Sequence, residues 1–251
     1  MAQTPDLSII IPAYNEASRI EPTIRDIVGY CRSGRRVFEL ILVDDGSSDD
    51  TSSIGRLLSE EFPELRLIRL AANQGKGFAV RTGVLNATGR TVLFADADGS
   101  TPISEIERLE SALHAGADVA VGSRERRGEG VRVQAKLYRR IIGRTFHFLV
   151  ESLASPGVED TQCGFKLFRS EVSHDLFSRM RMNGFSFDVE VLVMARRRKY
   201  RVRPMARRGN RIGRAGDPAH GLERRRRTRG QPSVQRHRQD LAVLLRALVC
   251  R

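Results

Sequence analysis

The chain contains 251 residues, of which 40% are hydrophobic, and carries a formal net charge of +13. This length suits one domain with a sizeable core, and no apolar run approaches the ~20 residues that a membrane-spanning helix needs. The three cysteines form no CxxC pair, which indicates a reducing compartment rather than a secreted disulfide scaffold. Residues 1–6 are mostly polar and lead directly into an apolar run, so we expect no signal peptide and a cytoplasmic protein.

The positive charge lies almost entirely in the last part of the chain. Residues 201–251 contain 15 arginines, no lysine and three acidic residues, so this segment carries +12 and residues 1–200 carry +1. Frequent Gly and Pro and little apolar periodicity predict that the segment cannot offset the entropy cost of ordering. We therefore predict a single globular domain, residues 1–200, and an arginine-rich tail, residues 201–251, that is disordered or aberrant.

Apolar and amphipathic segments alternate along the first half of the chain. Buried strands are predicted for five short apolar runs: Leu7–Ile11, Val37–Val43, Leu65–Leu70, Arg90–Ala95 and Asp118–Val121. A helix is predicted after each of the first four strands, ending near Tyr30, Glu61, Asn86 and His114. This alternation predicts an α/β domain with a mostly parallel sheet and helices on both faces.

Polar side chains follow three of these strands where each strand ends. The pairs are Asn15 and Glu16, Asp44 and Asp45, and Asp96 and Asp98. Ligands of parallel sheets bind beyond the carboxyl ends of the strands, so we expect the three pairs to form one composite site. Asp96 and Asp98 are two residues apart on an extended segment and project the same way, so they can share a divalent ion.

The second half of the chain is less regular. Residues Gln134–Leu153 predict one long helix with a basic stripe, which is either a solvated face or a surface that lies on an anionic membrane. Gln162–Arg169 predicts a turn and a strand, and Phe185–Glu190 begins a final apolar helix that becomes basic at Arg196–Lys199. Another strand is expected to begin near Tyr200.

Several site types can be set aside from local patterns. No GxGxxG follows the first predicted strand, and Gly75-Lys76-Gly77 lacks the GxxxxGK[ST] pattern, so dinucleotide and P-loop sites are excluded. A nucleotidyltransferase would carry a Gly-rich loop and a lysine where PAYNE stands. Nucleic-acid binding through the tail, for which Arg224–Arg227 is the best case, stays the non-enzymatic alternative. The sequence disfavours it, because the tail has no tyrosine, phenylalanine or tryptophan to stack on bases and no zinc-ligand spacing.

Seven segments form an ordered set of motifs. They are IIIPAYNE (Ile9–Glu16), ELILVDDGSSDDT (Glu39–Thr51), NQGKGFAVRTG (Asn73–Gly83), FADADGSTPI (Phe94–Ile103), VGSR (Val121–Arg124), QCGFKLF (Gln162–Phe168) and FSFDVE (Phe185–Glu190). This order resembles the family 2 inverting glycosyltransferases, which have the GT-A fold, a Rossmann-like sheet with helices on both faces. Within the family it looks like the polyprenyl-phosphate branch, which includes dolichyl-phosphate glucosyl- and mannosyltransferases.

The resemblance implies a set of site residues. Its nucleotide-sugar site comprises Pro12, Tyr14, Glu16, Asp44, Asp45, Lys76, Asp96 and Gln162. Asp96 and Asp98 would hold Mg²⁺ or Mn²⁺ against the donor diphosphate. Asp188 occupies the late acidic position, which serves as the base for hydroxyl acceptors and here would bind the sugar or order the site. The alternative is that Asp188 and Glu190 are helix N-terminal acids that complement the helix dipole.

The implied acceptor is a lipid monophosphate. Its oxygen is already anionic, so it needs positioning and charge screening, which arginines supply. The implied phosphate contacts are Arg124, Arg139, Arg140 and Arg144. The expected reaction moves a hexose, glucose ahead of mannose, from a nucleoside diphosphate to polyprenyl or dolichyl phosphate with inversion, at the cytoplasmic face of a membrane that the protein contacts peripherally. The alternative is transfer to a hydroxyl of a polysaccharide, whose processive enzymes usually carry QxxRW and membrane helices; the sequence has neither.

Two origins of the tail stay open. A genuine basic tail would bind anionic lipid head groups, at about 1 kcal/mol per basic residue near the surface. The family resemblance stops abruptly near residue 202, which favours a shifted reading frame in GC-rich DNA.

Overall fold

The structure, a computed structural model, describes residues 4–123 and 163–206. Within these two ranges one sheet contains seven strands: β1 Leu7–Ala13, β2 Phe38–Asp44, β3 Leu65–Arg69, β4 Thr91–Ala95, β5 Val119–Ser123, β6 Phe165–Arg169 and β7 Val202–Ala206. Within the described residues the α-helices are α1 Ile20–Ser33, α2 Thr51–Glu61, α3 Lys76–Leu85, α4 Ile106–His114, α5 Ser170–Arg179 and α6 Phe187–Arg197. A short 3₁₀ helix, Ile103–Glu105, directly precedes α4.

The strand order across the sheet is β3-β2-β1-β4-β6-β5-β7. The neighbours β1–β2, β2–β3, β1–β4 and β5–β7 are parallel, whereas β6 runs antiparallel to both β4 and β5. The mostly parallel sheet is therefore confirmed. Because β6 is antiparallel, its first residue lies opposite the last residue of β4, with Phe165 paired to Ala95. The turn before β6 consequently meets the carboxyl end of β4.

The interior strand β1 is buried along its whole length because helices cover both faces of the sheet. Its alternate residues point to opposite faces. Ile9 and Ile11 belong to the core that includes Ile24 of α1. On the other face, Ile10 lies against Gly83 of α3. β1 thus fixes the positions of the helices whose neighbouring loops form the candidate site.

Replacement by alanine should change the stability of the protein in opposite directions at two helical glycines, one packed against β1 and one exposed. A Cβ on Gly83 would overlap Cγ2 of Ile10, so Gly83→Ala should lower the free energy of unfolding by about 1–3 kcal/mol. Gly29 lies exposed in α1, and nothing lies within 4 Å of the position that a methyl group would take there, so Gly29→Ala should raise that free energy by about 0.5–1 kcal/mol. Urea unfolding of both variants measures the difference, and an equal gain in both would contradict the packing.

Two elements of the second half of the chain compare differently with the sequence predictions. The sequence analysis predicts no helix at α5, although Val172, Ser173, Leu176 and Phe177 mark one buried face at helical spacing. β7, which begins at Val202 and pairs with β5, is the strand expected near Tyr200. The predicted helix Gln134–Leu153 and the tail after Ala206 lie outside the described residues. No helix within the described ranges is long and apolar enough to span a bilayer.

Candidate functional site

The three polar clusters meet at one edge of the sheet. β1 lies between β2 and β4 and is parallel to both, so the carboxyl ends of these three strands are adjacent. The loops that leave them carry Asn15 and Glu16, Asp44 and Asp45, and Asp96 and Asp98. Crevices at this edge are the usual ligand sites of such sheets. The three clusters therefore follow neighbouring strand ends, and their use as one ligand site stays a prediction.

The loop after β1 is fastened to the loop after β2. The N–H of Asn15 donates to Oγ of Ser47 at 2.9 Å, and Oδ1 of Asn15 accepts from the N–H of Ser48 at 2.9 Å. The N–H of Glu16 donates to Oγ1 of Thr51 at 2.8 Å. Asn15 has φ +55°, a left-handed conformation that asparagine tolerates better than most residues. The hydroxyl-rich segment after β2 thus holds the first loop in place.

The predicted nucleotide contacts on the first loop differ in accessibility. Pro12 is buried within β1, opposite Val43 of β2. The Tyr14 side chain is 46% exposed and offers an aromatic face at the edge of the sheet. Glu16 is partly exposed and forms an ion pair with Arg19 at 3.3 Å. Of these three predicted contacts, Tyr14 and Glu16 are accessible to a ligand, whereas Pro12 is buried.

The two aspartates at the end of β2 order the neighbouring loops. Asp44 is fully buried and accepts from the N–H of Ser47 at 3.0 Å and from the hydroxyl of Ser52. Asp45 is 2% exposed, and its two carboxylate oxygens accept from the N–H groups of Gln74 and Gly75, both at 2.8 Å. Asp45 therefore fixes the segment that leads into α3.

Lys76, the first residue of α3, points towards the end of β4. Its Nζ lies 2.6 Å from Oδ1 of Asp96, and both side chains are mostly buried. The ammonium also lies 5.3 Å from the centroid of the Phe94 ring and 5.8 Å from that of Phe185. The predicted donor-site lysine and the predicted metal-binding carboxylate are thus in direct contact.

Asp96 and Asp98 provide oxygen donors at the end of β4. The backbone N–H of Asp96 donates to the carbonyl of Gly164 at 3.0 Å, and Oδ1 of Asp98, which is exposed, accepts from the N–H of Ser100 at 3.0 Å. Carboxylates are hard ligands, and Mg²⁺ commonly binds one or two of them together with substrate phosphates. The described parts of the chain contain no group of three acidic, His or Cys side chains that could hold a metal. Asp96 and Asp98 therefore supply the type of oxygen donor that a divalent ion shares with a phosphate ligand.

Gly164, immediately before β6, is a site residue that the sequence reasoning missed. A Cβ at this position would overlap the carboxylate of Asp96. This contact explains why the motif QCGFKLF has glycine at this position, because only glycine leaves room for Asp96 beside the antiparallel strand. The signal was present in the motif, but the antiparallel pairing that explains it is a long-range contact.

A buried ion pair lies behind these residues and was also missed. Nζ of Lys166 is 2.6 Å from Oδ1 of Asp188 and 2.6 Å from the carbonyl oxygen of Cys163. Lys166 is 1% and Asp188 4% exposed. Burial raises the pKa of the Asp188 carboxyl, and the Lys166 ammonium opposes this shift. Nζ of Lys166 lies 5.7 Å from the centroid of the Phe94 ring. Lys76 and Lys166 therefore both contact the ring of Phe94.

Glu190 has a structural role in the turn before α6. Its carboxylate accepts from the N–H of Met182 at 2.8 Å and from the N–H of Arg181 at 3.0 Å. Burial raises the pKa of Glu190, and these backbone donors oppose the shift. The loop that Glu190 holds also contacts α3, because the carbonyl of Asn183 accepts from the N–H of Gly77 at 2.8 Å.

Five predicted contacts lie outside the described residues and stay predictions. They are the sugar contact Gln162 and the acceptor-phosphate contacts Arg124, Arg139, Arg140 and Arg144.

The sequence of the chain is similar to those of known glycosyltransferases. The profile of glycosyl transferase family 2 matches residues 8–177. The dolichyl-phosphate beta-glucosyltransferase of Homo sapiens is 35% identical over 205 residues, which cover 76% of this chain and 63% of the relative. The Drosophila melanogaster protein of the same name is 37% identical over 203 residues, covering 76% and 62%. The chain thus spans about three fifths of the length of these curated relatives.

The fold is shared with a solved glycosyltransferase. The crystal structure of Mycobacterium tuberculosis glucosyl-3-phosphoglycerate synthase in complex with Mn²⁺ and UDP-glucose superposes with a TM-score of 0.66 at 20% identity, covering 97% of this chain and 79% of that one. This likeness confirms the predicted GT-A fold. Together with the profile match over most of the chain, it leads to one conclusion: the chain belongs to glycosyl transferase family 2.

Proposed function

We propose that the protein transfers a hexose from a nucleoside-diphosphate sugar to a polyprenyl or dolichyl phosphate with inversion. Glucose is the favoured sugar and mannose the next, with UDP-glucose ahead of GDP-mannose as donor. The Asp96–Asp98 pair carries the proposal, because it lies beside the loops that follow β1 and β2. The names of the relatives that are 35–37% identical support a phosphorylated polyprenol as the acceptor and glucose as the sugar.

Asp96 and Asp98 would hold the divalent ion, Mg²⁺ or Mn²⁺, together with the donor diphosphate. The Mn²⁺ and UDP-glucose in the related crystal structure support this assignment. A bound divalent ion supplies Lewis-acid stabilisation of the departing nucleoside diphosphate. The chain itself supplies the accessible Tyr14 and Glu16 at the nucleotide side, and Asp45 keeps the start of α3 in place.

Asp188 does not need to act as a base in this reaction. The phosphate acceptor is already anionic at neutral pH, and Asp188 is buried against Lys166. We assign Asp188 to ordering the site. The predicted arginines, Arg124, Arg139, Arg140 and Arg144, would bind the acceptor phosphate, and the protein would contact the cytoplasmic face of a membrane peripherally.

A panel of labelled nucleotide sugars tests the proposal. The full chain is incubated with membranes that contain polyprenyl phosphate, and the lipids are then extracted and treated with mild acid. Label from UDP-glucose is expected in the organic phase and should return to water after acid, because a glycosyl phosphate ester is acid-labile. A parallel incubation without protein gives the background. Label that enters only polymer or protein would favour a hydroxyl acceptor instead.

A further inference from the structure

The contact between Lys76 and Asp96 places a protein cation on a carboxylate that a metal ion requires. Nζ of Lys76 lies 2.6 Å from Oδ1 of Asp96, a charge-assisted hydrogen bond between two mostly buried side chains. A divalent ion held by the same carboxylate would also be close to the ammonium, and like charges repel each other at short range. The observed contact of Lys76 with Asp96 should therefore weaken the binding of a divalent ion to Asp96.

The backbone around Lys76 is held from two sides, so Lys76 can leave Asp96 only by movement of its side chain. Both oxygens of Asp45 accept N–H groups of the preceding segment, and the carbonyl of Asn183 accepts from the N–H of Gly77 at 2.8 Å. Gly75 has φ +106°, and a Cβ there would overlap the carbonyl of Asn183. The first turn of α3 is thus clamped between the end of β2 and the loop before α6.

The surroundings of the Lys76 ammonium differ on its two sides. The Phe94 ring, 5.3 Å away, is fully buried in β4, whereas the Phe185 ring, 5.8 Å away, is 60% exposed. The ammonium therefore has one buried and one largely exposed aromatic neighbour. Movement of the lysine side chain past the exposed ring would not need to displace the buried one.

We propose that Lys76 is an exchangeable counter-cation for the metal site. It neutralises Asp96 before the donor binds, leaves Asp96 when the divalent ion arrives, and then pairs with the diphosphate from the same helix turn. This inference rests on the proposed function for the identity of the donor. It makes Lys76 a residue that couples metal binding to donor binding, because each ligand favours the same released state of the lysine.

Lys76→Met tests the exchange with two binding measurements on the full chain. In the first, Mn²⁺ is titrated without nucleotide and the free ion is followed by its electron paramagnetic resonance signal. The variant should bind Mn²⁺ about tenfold more tightly than the wild type, because the competing ammonium is gone. In the second, UDP-glucose and GDP-mannose are titrated calorimetrically at saturating Mn²⁺. The preferred donor should bind the variant about tenfold more weakly.

The opposite directions of these changes separate exchange from damage to the site, which would weaken both. Arg81→Met is the matched control, because it removes a positive charge from α3 at a residue that donates to the carbonyl of Ser178. Its Mn²⁺ affinity should stay within about twofold of the wild type. Unchanged or weaker Mn²⁺ binding by Lys76→Met overturns the exchange. Failure of both nucleotide sugars to bind the wild type would instead contradict the proposed function, and the Mn²⁺ titration does not depend on it.

Discussion

Asp98→Asn is expected to lower the rate of hexosyl transfer at least about a thousandfold, equivalent to about 4 kcal/mol of lost transition-state stabilisation. The amide keeps the size of the side chain but removes the charge that would hold a divalent ion at the donor diphosphate. Asp98 is exposed, so the change buries no unsatisfied group and the fold should survive. Initial rates of glycolipid formation at saturating donor measure the effect.

A matched variant separates the loss of the metal ligand from the loss of a charge. Asp26 is exposed on α1, and Asp26→Asn removes one carboxylate without touching the strand end. This control should keep its activity within about twofold, and circular dichroism should show both variants folded. Transfer by Asp98→Asn at more than a tenth of the wild-type rate would contradict the assignment of Asp98 as a metal ligand.

Lys166→Met is expected to lower the free energy of unfolding by about 3–5 kcal/mol. The change leaves Asp188 as a buried carboxylate without its counter-charge, and the carbonyl of Cys163 loses a donor. Domains of this size are stable by only about 5–15 kcal/mol, so the expected loss is a large share of the total stability. Urea unfolding monitored by circular dichroism measures the loss.

Two further variants test whether the uncompensated charge causes that loss. Lys166→Met combined with Asp188→Leu replaces the pair by apolar side chains and should recover most of the stability. Arg56→Met removes an ion pair with Glu60 in which both side chains are more than half exposed, and should change stability by less than about 0.5 kcal/mol. A double variant as unstable as Lys166→Met would show that the packing of Lys166, not the charge of Asp188, matters.

Much of the fold follows from patterns that are local in sequence. The five predicted strands correspond to β1–β5 with shifts of one or two residues at their ends, because short β-branched runs bounded by turn residues are recognisable without tertiary information. The helix predicted after Asn73 corresponds to α3, which begins at Lys76 after the positive-φ residue Gly75. Strand-end clusters meet because parallel neighbours place their carboxyl ends at one edge.

The rest depends on contacts between residues far apart in the chain. The antiparallel direction of β6 is decided by its pairing with β4, so neither the place of Gly164 beside Asp96 nor the burial of Lys166 could be inferred from local pattern. A lysine in a strand is ordinarily interpreted as a solvated residue, and the partner of Lys166, Asp188, lies 22 positions away. The hydrogen bonds of Asp44 and Asp45 to neighbouring loops could not be predicted from the sequence either, because a carboxylate at a strand end can face either a ligand or a loop.

Analysis of the reaction product tests the central claim most directly. The full chain is incubated with UDP-glucose, a synthetic polyprenyl phosphate and Mn²⁺, and the extracted lipid is examined by mass spectrometry and nuclear magnetic resonance. The result that we expect is a hexosyl phosphate of the polyprenol with a β-linkage, formed in step with UDP release and abolished by excess chelator. UDP release without a glycosylated lipid phosphate, or undiminished product in excess chelator, would contradict it.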